Sequence, residues 1–179
     1  VKSVMELNQN WEFRQAGQSL WYSAEVPGCV HLDLLDNKLI DDPFYRDNEL
    51  KQQWIDKANW EYRCKFNSSD KMLSEYSNAR IVFEGLDTYA DVYLNDSLIL
   101  ESNNMHRDWS LNIKPLLKKN NSLRVYFHSP VKKGLILHES IDYELPAIND
   151  HSEIGGLGNK RVSVFVRKAL HHFGWDWGP

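Results

Sequence analysis

Trp60-Glu61-Tyr62-Arg63-Cys64-Lys65-Phe66 is the stretch that decides the fold. Trp60, Tyr62, Cys64 and Phe66 alternate with Glu61, Arg63 and Lys65. Successive side chains of a strand point to opposite faces, so this period of two predicts a half-buried strand with its rings inward. The same alternation recurs downstream. Ala79, Ile81 and Phe83 repeat it, and so do Ala90, Val92 and Leu94, with Asp91 and Tyr93 on the reverse face. Asn95-Asp96-Ser97 then predicts a tight turn into Leu98-Ile99-Leu100. Asn and Asp tolerate the left-handed backbone of a two-residue hairpin loop. Leu123, Val125 and Phe127 form another alternating set. Val162, Val164 and Val166 read as one more strand, with Phe165 on its other face.

Upstream of Trp60 the pattern is mixed. Val4 to Arg14 reads as a short strand, a turn at Asn8-Gln9-Asn10 and a second strand with Trp11 and Phe13 on one face. Pro27 and Gly28 make a turn. From His31 to Leu39, the residues Leu32, Leu35 and Leu39 recur at helical spacing. A turn at Asp42-Pro43 leads to a short helix within Arg46–Trp54, where Leu50 and Trp54 stand one helical turn apart. About eight strands, with one or two short helices near the start, predict an all-β sandwich of the jelly-roll kind. The stretch Asp150–Asn159, rich in Gly and polar residues, predicts a mobile loop.

The chain has 179 residues, enough for one ordinary domain spanning 1–179. Its net charge of −4 argues against a nucleic-acid partner, which requires a clustered basic face. The pairs Lys118-Lys119 and Lys132-Lys133 read as solvated turns. No run approaches the roughly 18 apolar residues of a membrane helix, and no signal peptide is visible at Val1. Cys29 and Cys64 lack metal-ligand spacing, and both read as buried thiols rather than a disulfide. Asn67, Asn95 and Asn120 open Asn-x-Ser sequons, which matter only in a eukaryotic host. Seven Trp, eight Tyr and seven Phe make an aromatic-rich chain. Such rings fill cores, and they also stack on sugar faces.

Most candidate chemistries find no support. His171 and His172 are adjacent and would point apart on a strand. Neither His-x-x-x-His nor Cys-x-x-Cys occurs, so no metal site is expected. There is no Gly-x-Ser-x-Gly elbow. Gly155-Gly156-Leu157-Gly158 lacks the Lys-Ser or Lys-Thr of a phosphate loop. Asn48-Glu49 matches a dipeptide common at glycosidase acid/base sites, but in a short helix near the start it reads as structural. No cofactor is expected in this chain, and its 25 acidic residues make a catalytic carboxylate pair easy to imagine and impossible to choose. The remaining segment is His171-His172-Phe173-Gly174-Trp175-Asp176-Trp177-Gly178-Pro179. Its glycines permit tight turns. A carboxylate such as Asp176 can accept hydrogen bonds from two sugar hydroxyls, and an indole beside it supplies an apolar wall. On chemistry alone, a monosaccharide contact and a buried Trp pair around Asp176 stand equally.

At this segment the chain resembles the first domain of glycoside hydrolase family 2 β-mannosidases. The likeness rests on Arg167-Lys168-Ala169 and His172-Phe173-Gly174-Trp175-Asp176-Trp177-Gly178-Pro179. Upstream it rests on Val26-Pro27-Gly28 with Val30-His31, Asp42-Pro43-Phe44-Tyr45, Asn48-Glu49, and Trp54 with Trp60-Glu61-Tyr62. Phe83-Glu84-Gly85-Leu86-Asp87-Thr88, Val92-Tyr93-Leu94-Asn95 and Met105-His106-Arg107-Asp108-Trp109 complete it. The Gly-Leu-Asp-Thr portion is shared more loosely with family 2 β-galactosidases and β-glucuronidases. The Trp-Asp-Trp ending favours mannosidase.

The resemblance implies a galactose-binding-like jelly roll without catalytic groups of its own. The parent enzyme would remove terminal non-reducing β-D-mannose with retention, using two glutamates of a downstream (β/α)8 domain. That domain and a β-mannoside glycan are the implied partners. Gly174–Gly178 would lend a loop to the substrate pocket, with Asp176 on mannose hydroxyls and Trp175 closing the pocket. Trp177 reads first as structural. The family's sandwich continues beyond a Gly-Pro such as Gly178-Pro179, so this chain is expected to stop short of a closing strand and to lack the barrel. An exported, periplasmic or lysosomal setting is suggested by the resemblance. The alternatives are an independent carbohydrate-binding module, or the same domain of a β-galactosidase or β-glucuronidase.

Overall fold

The computed structural model describes residues 3–147, 150, 157 and 160–173. Those residues form a six-stranded antiparallel sheet and a second sheet of two strands. The strands are β1 (Trp11–Gln15), β2 (Tyr22–Ala24), β3 (Trp60–Asn67), β4 (Arg80–Phe83), β5 (Tyr89–Leu94), β6 (Ser97–Asn103), β7 (Trp109–Asn112) and β8 (Asn120–Phe127). The larger sheet runs β2-β1-β3-β8-β5-β6, and the smaller pairs β4 with β7. β3 and β8 lie side by side over their full length, from Trp60↔Phe127 to Asn67↔Asn120. Strands distant in sequence thus become neighbours at the centre of the sheet, as in Greek-key sandwiches.

β3 behaves as its alternation predicts. Trp60, Tyr62 and Cys64 are buried in one cluster with Phe13, Val92, Leu94, Leu123 and Val125. Ile81 of β4 and Ile113 just after β7 join that same cluster, so the two sheets share one core. Phe13, fully buried, has ring centroids 5.7 Å from Tyr62 and 6.1 Å from Trp60. Glu61, on the opposite face, is nevertheless buried. Arg14 Nε holds one of its oxygens at 2.6 Å and Arg124 Nη1 the other at 3.1 Å. The hairpin between β5 and β6 also follows the sequence. Asn95 and Asp96 both have positive φ, 50° and 68°, as a two-residue type I′ loop requires.

Among the described residues four α-helices accompany the sheets: α1 (Val30–Asp36), α2 (Asn48–Lys51), α3 (Asp70–Ser74) and α4 (Pro130–Glu139). α1 and α2 fall where helical spacing places them, but α1 presents a different face. Leu32 is 57% exposed, while Asp33 and Leu34 are the buried residues. The cause is polar. Tyr62 Oη donates to Asp33 Oδ2 at 2.6 Å, and Glu25 N donates to Asp33 Oδ1 at 2.9 Å. These bonds rotate the helix so that the carboxylate faces inward.

Three further expectations are corrected. Val162–Val166 is not a strand; Ser163–Phe165 is a 3₁₀ turn. Asp150 Oδ2 accepts from both Val162 N and Ser163 N at 2.9 Å, which takes two donors a sheet ladder would have used. Val162 and Val166 are buried but Val164 is 42% exposed, so the three valines do not share one face as the alternation predicts. Val4–Asn8 forms no strand, and Trp11 Nε1 donates to Leu7 O at 2.6 Å there instead. Cys64 is buried as expected, but Cys29 is exposed; both are free thiols. Burial pushes the Cys64 thiol up to about 12. Of the predicted loop Asp150–Asn159, all but Asp150 and Leu157 lies outside the described residues. No helix among the described residues is long and apolar enough to cross a membrane.

Candidate functional site

Trp175, Asp176 and Trp177, with the rest of Gly174–Gly178, lie outside the described residues. The residues that lead into them are described, and they are tied to the sandwich at several points. Asn104 and Arg167 form a parallel bridge, and Met105 N donates to Arg167 O at 3.0 Å. Ala169 N donates to Met105 Sδ at 3.0 Å. The chain then makes a 3₁₀ turn, Leu170–Phe173. Phe173 closes it by packing into a second apolar cluster with Val131, Val162 and Val166.

Asp87 is the polar partner of this segment. Its Oδ2 accepts a charge-assisted bond from Lys168 Nζ, and His172 Nδ1 lies 3.6 Å from the same oxygen. Its Oδ1 accepts from Thr88 Oγ1. Thr88 is buried, and its carbonyl accepts from Ser102 Oγ of β6 at 2.9 Å. Ser102 Oγ in turn accepts from Ala90 N at 3.1 Å. The carboxylate therefore stands on a chain of bonds rooted in the sheet.

Other groups converge here. Burial, then the charge of Lys168, lowers the pKa of His31. The pKa of His172 is lowered by burial first and by Lys168 next, with Asp87 opposing and His171 and His106 adding to the depression. Asp56 is raised by burial, with Lys57 and, more weakly, Lys168 pulling it back. Four separated stretches thus reach the Lys168–His172 segment: His31 and Asp56 feel Lys168, and Asp87 and His106 act on His172. Nothing local in the sequence signals this, because Asp87 and Lys168 are 81 residues apart.

The Asn48-Glu49 pair sits elsewhere, in α2. Asn48 is buried, donating to Asp42 O at 2.9 Å and accepting from Lys51 Nζ at 3.0 Å, which is a structural use. A concavity of about 570 Å³ opens beside Trp54, Lys57, Asn59, Tyr126 and Lys132. A smaller one, about 300 Å³, lies on the outer sheet face between Trp21, Arg63, Tyr93 and Arg124. Its guanidinium groups are engaged: Arg63 lies 3.9 Å from the Trp21 ring and Arg124 lies 4.1 Å from the Tyr93 ring. Among the described residues no group of three or more His, Cys, Asp or Glu side chains is placed to hold a metal ion.

Comparison with known proteins places this architecture. The chain is 36% identical to a β-mannosidase of Capra hircus over 98% of its own length, and 40% identical to a β-mannosidase B of Thermothelomyces thermophilus over the same share. In both cases it spans 20% of the relative, so about four-fifths of each relative has no counterpart here. Among solved structures, a β-D-mannosidase from Dictyoglomus thermophilum superposes with a TM-score of 0.89 and 41% identity, over 99% of this chain and 21% of that one. An exo-chitosanase of Amycolatopsis orientalis superposes with a TM-score of 0.57 at 20% identity, over 67% of this chain and 16% of that one, a likeness of fold alone. The family described as glycosyl hydrolase 2 galactose-binding domain-like matches residues 11–179. The jelly-roll sandwich, its core and this match agree: the chain belongs to the galactose-binding-like domain family of the family 2 glycosyl hydrolases.

Proposed function

We propose that this chain is the non-catalytic N-terminal sandwich of an exo-β-mannosidase, and that it lends residues 174–178 to the substrate pocket. The observation that carries this reading is the 41% identity and TM-score of 0.89 to a β-D-mannosidase across 99% of the chain. In this scheme the hydrolysis of terminal non-reducing β-D-mannose takes place on a downstream (β/α)8 domain. Two glutamates there act as acid/base and nucleophile, and retention follows from carboxyl groups about 5–5.5 Å apart. Asp176 accepts hydrogen bonds from mannose hydroxyls, and Trp175 forms the wall that limits the enzyme to one sugar at a time. Trp177 supports the segment. The scheme needs no metal and no cofactor.

A charged hydrogen bond in a dry pocket is worth about 1.5–3 kcal/mol, and each 1.36 kcal/mol is a tenfold change in rate. Asp176→Ala in the full-length enzyme is therefore expected to lower kcat/KM on an aryl β-mannoside at least tenfold. Unchanged kinetics would remove the assignment. Comparing aryl β-mannoside, β-galactoside and β-glucuronide substrates separates the mannosidase reading from its family 2 alternatives. Calorimetric titration of the chain with mannobiose tests the independent binding module. Micromolar affinity would favour the module, and millimolar or no binding favours the lent loop.

A further inference from the structure

We propose that the concavity beside Trp54 is a binding site for an anionic sugar, a pyranose ring that carries a carboxylate or a phosphate. Its groups come from the end of β1, the Trp54–Asn59 stretch, the outer face of β3 and β8, and the first turn of α4. Three cations, Arg14, Lys57 and Lys132, line it against one anion, Glu61. Both oxygens of Glu61 are taken, one by Arg14 Nε and the other by Arg124 Nη1. Neither lysine ammonium makes a hydrogen bond or an ion pair among the described residues. Asp56 is within electrostatic reach of Lys57, and its charge is offset by that of Arg124. In a chain of net charge −4 this concavity is a local reversal of sign. A cleft lined by one sign of charge concentrates ions of the other.

The wall also suits a ring. Trp54 is 39% exposed, and Trp60 braces it from the core, with 5.8 Å between ring centroids. An exposed indole offers an apolar face on which the C–H groups of a pyranose stack. The polar groups around it are donors. Tyr126 Oη accepts from Asn59 Nδ2 at 3.0 Å, so its own O–H remains to donate. Arg14 uses Nε on Glu61 and Nη1 on Gln18 O, and its Nη2 makes no bond among the described residues. Each lysine adds an ammonium that only donates. A carboxylate or phosphate only accepts, which is what such a wall lacks. The donors are held in place beforehand. Asn59 Oδ1 accepts from Ser129 N at 2.8 Å, Asn59 O accepts from Ala16 N at 2.8 Å, and Ser129 Oγ donates to Asp56 O at 2.6 Å. These bonds tie β1, the Trp54–Asn59 stretch and α4 together around the opening, so little ordering is left to oppose binding. The volume of about 570 Å³ lies within the range of small-molecule sites, roughly 300–1,000 Å³.

The test is titration of this chain with methyl α-D-glucuronide, glucose 6-phosphate, neutral methyl α-D-glucoside and inorganic phosphate, followed by amide and indole NMR shifts. The two anionic sugars are expected to shift the Trp54 indole and the Lys57–Asn59 amides saturably. Their dissociation constants are expected to lie at least about tenfold below those of the glucoside and of inorganic phosphate. Either order of the two anionic sugars supports the site, and the tighter one assigns the anion as carboxylate or phosphate. Lys57→Met and Lys132→Met are each expected to weaken the tighter ligand about tenfold, the scale of one charged hydrogen bond. Added salt is expected to weaken it in the wild type. No saturable shift at Trp54 with either anionic sugar at millimolar concentration overturns the proposal. Equal affinity for inorganic phosphate overturns it too, since that marks a plain anion patch without a use for the ring. So does equal affinity for the neutral glucoside, or unchanged affinity in both lysine variants. Should Lys57→Met fail to fold, the exposed Lys132 carries the same decision through Lys132→Met.

Discussion

Tyr62 and Asp33 show how a single polar pair orients an element. The Tyr62 hydroxyl lies 2.6 Å from Asp33 Oδ2, and both residues are buried. Burial raises the pKa of both groups; for Asp33 the bonds from Tyr62 and Glu25 N oppose the rise, and for Tyr62 the bond to Asp33 adds to it. Removing the hydroxyl leaves a buried carboxylate short of a donor. Tyr62→Phe is expected to destabilise the fold by about 1–3 kcal/mol, the cost of an unsatisfied buried acceptor. The check is the urea midpoint, with an unchanged m-value. The alternation of β3 placed Tyr62 in the core. It carried no hint that its hydroxyl would draw an aspartate of α1 in after it. The helical spacing of Leu32, Leu35 and Leu39 reports only which residues share a face; the polar pair decides which face of α1 is buried.

At the level of elements, hairpins were the most legible. Asn95 and Asp96 adopt the left-handed conformation that their residue types tolerate. Asn95 has a second task, since its Nδ2 donates to Leu116 O at 2.8 Å and its Oδ1 accepts from Ser122 N at 2.9 Å. The two positions are therefore expected to respond differently to substitution. Asp96→Gly removes left-handed strain of about 1–2 kcal/mol against about 0.5–1 kcal/mol of lost chain entropy, and should be slightly stabilising. Asn95→Ala loses the bonds and strains the turn, and should destabilise by about 1–3 kcal/mol. Thermal or urea unfolding of the two variants distinguishes them by sign. Val162–Val166 marks the limit of such reading. The two-residue period put all three valines on one face, yet Val164 is exposed, because Asp150 captured the amides that would have made a ladder. α4 begins with a Pro in its first turn and with Ser129 Oγ accepting from Lys132 N, helix-start features of residue type that a sequence carries.

Across the whole molecule, His31, Asp56 and His172 all feel the charge of Lys168, and the protonation of these three groups is linked to folding. Burial, aided by Lys168, lowers the pKa of His31 and His172 below 6.5. As pH falls through 6.5 the unfolded chain takes up these protons first, so stability attributable to the two histidines is lost on acidification. Asp33 and Asp56 work in the opposite sense at lower pH. Their pKa values are raised above 3.8, so the folded state takes up those protons first. The histidine contribution can be isolated by substitution. His172→Gln is expected to lose less stability than the wild type between pH 7 and about pH 5. Parallel unfolding midpoints measured across that range would contradict it.

Residue periodicity and turn chemistry determined the layers of this protein by themselves. An alternating strand has only one face to bury, and Asn-Asp between two such runs forces a hairpin. The ordered motifs from Val26 to Pro179 determined the family, which the match over residues 11–179 bears out. Tertiary structure decided the partners. Greek-key pairing put β3 against β8, Tyr62 drew Asp33 inward, Arg14 and Arg124 covered Glu61 on the outer face, and Asp87 met Lys168 across 81 residues of chain. Such contacts lie outside any local window, because a carboxylate shows no preference in sequence among distant cations. The choice is made only when the sheets stack and leave one within reach.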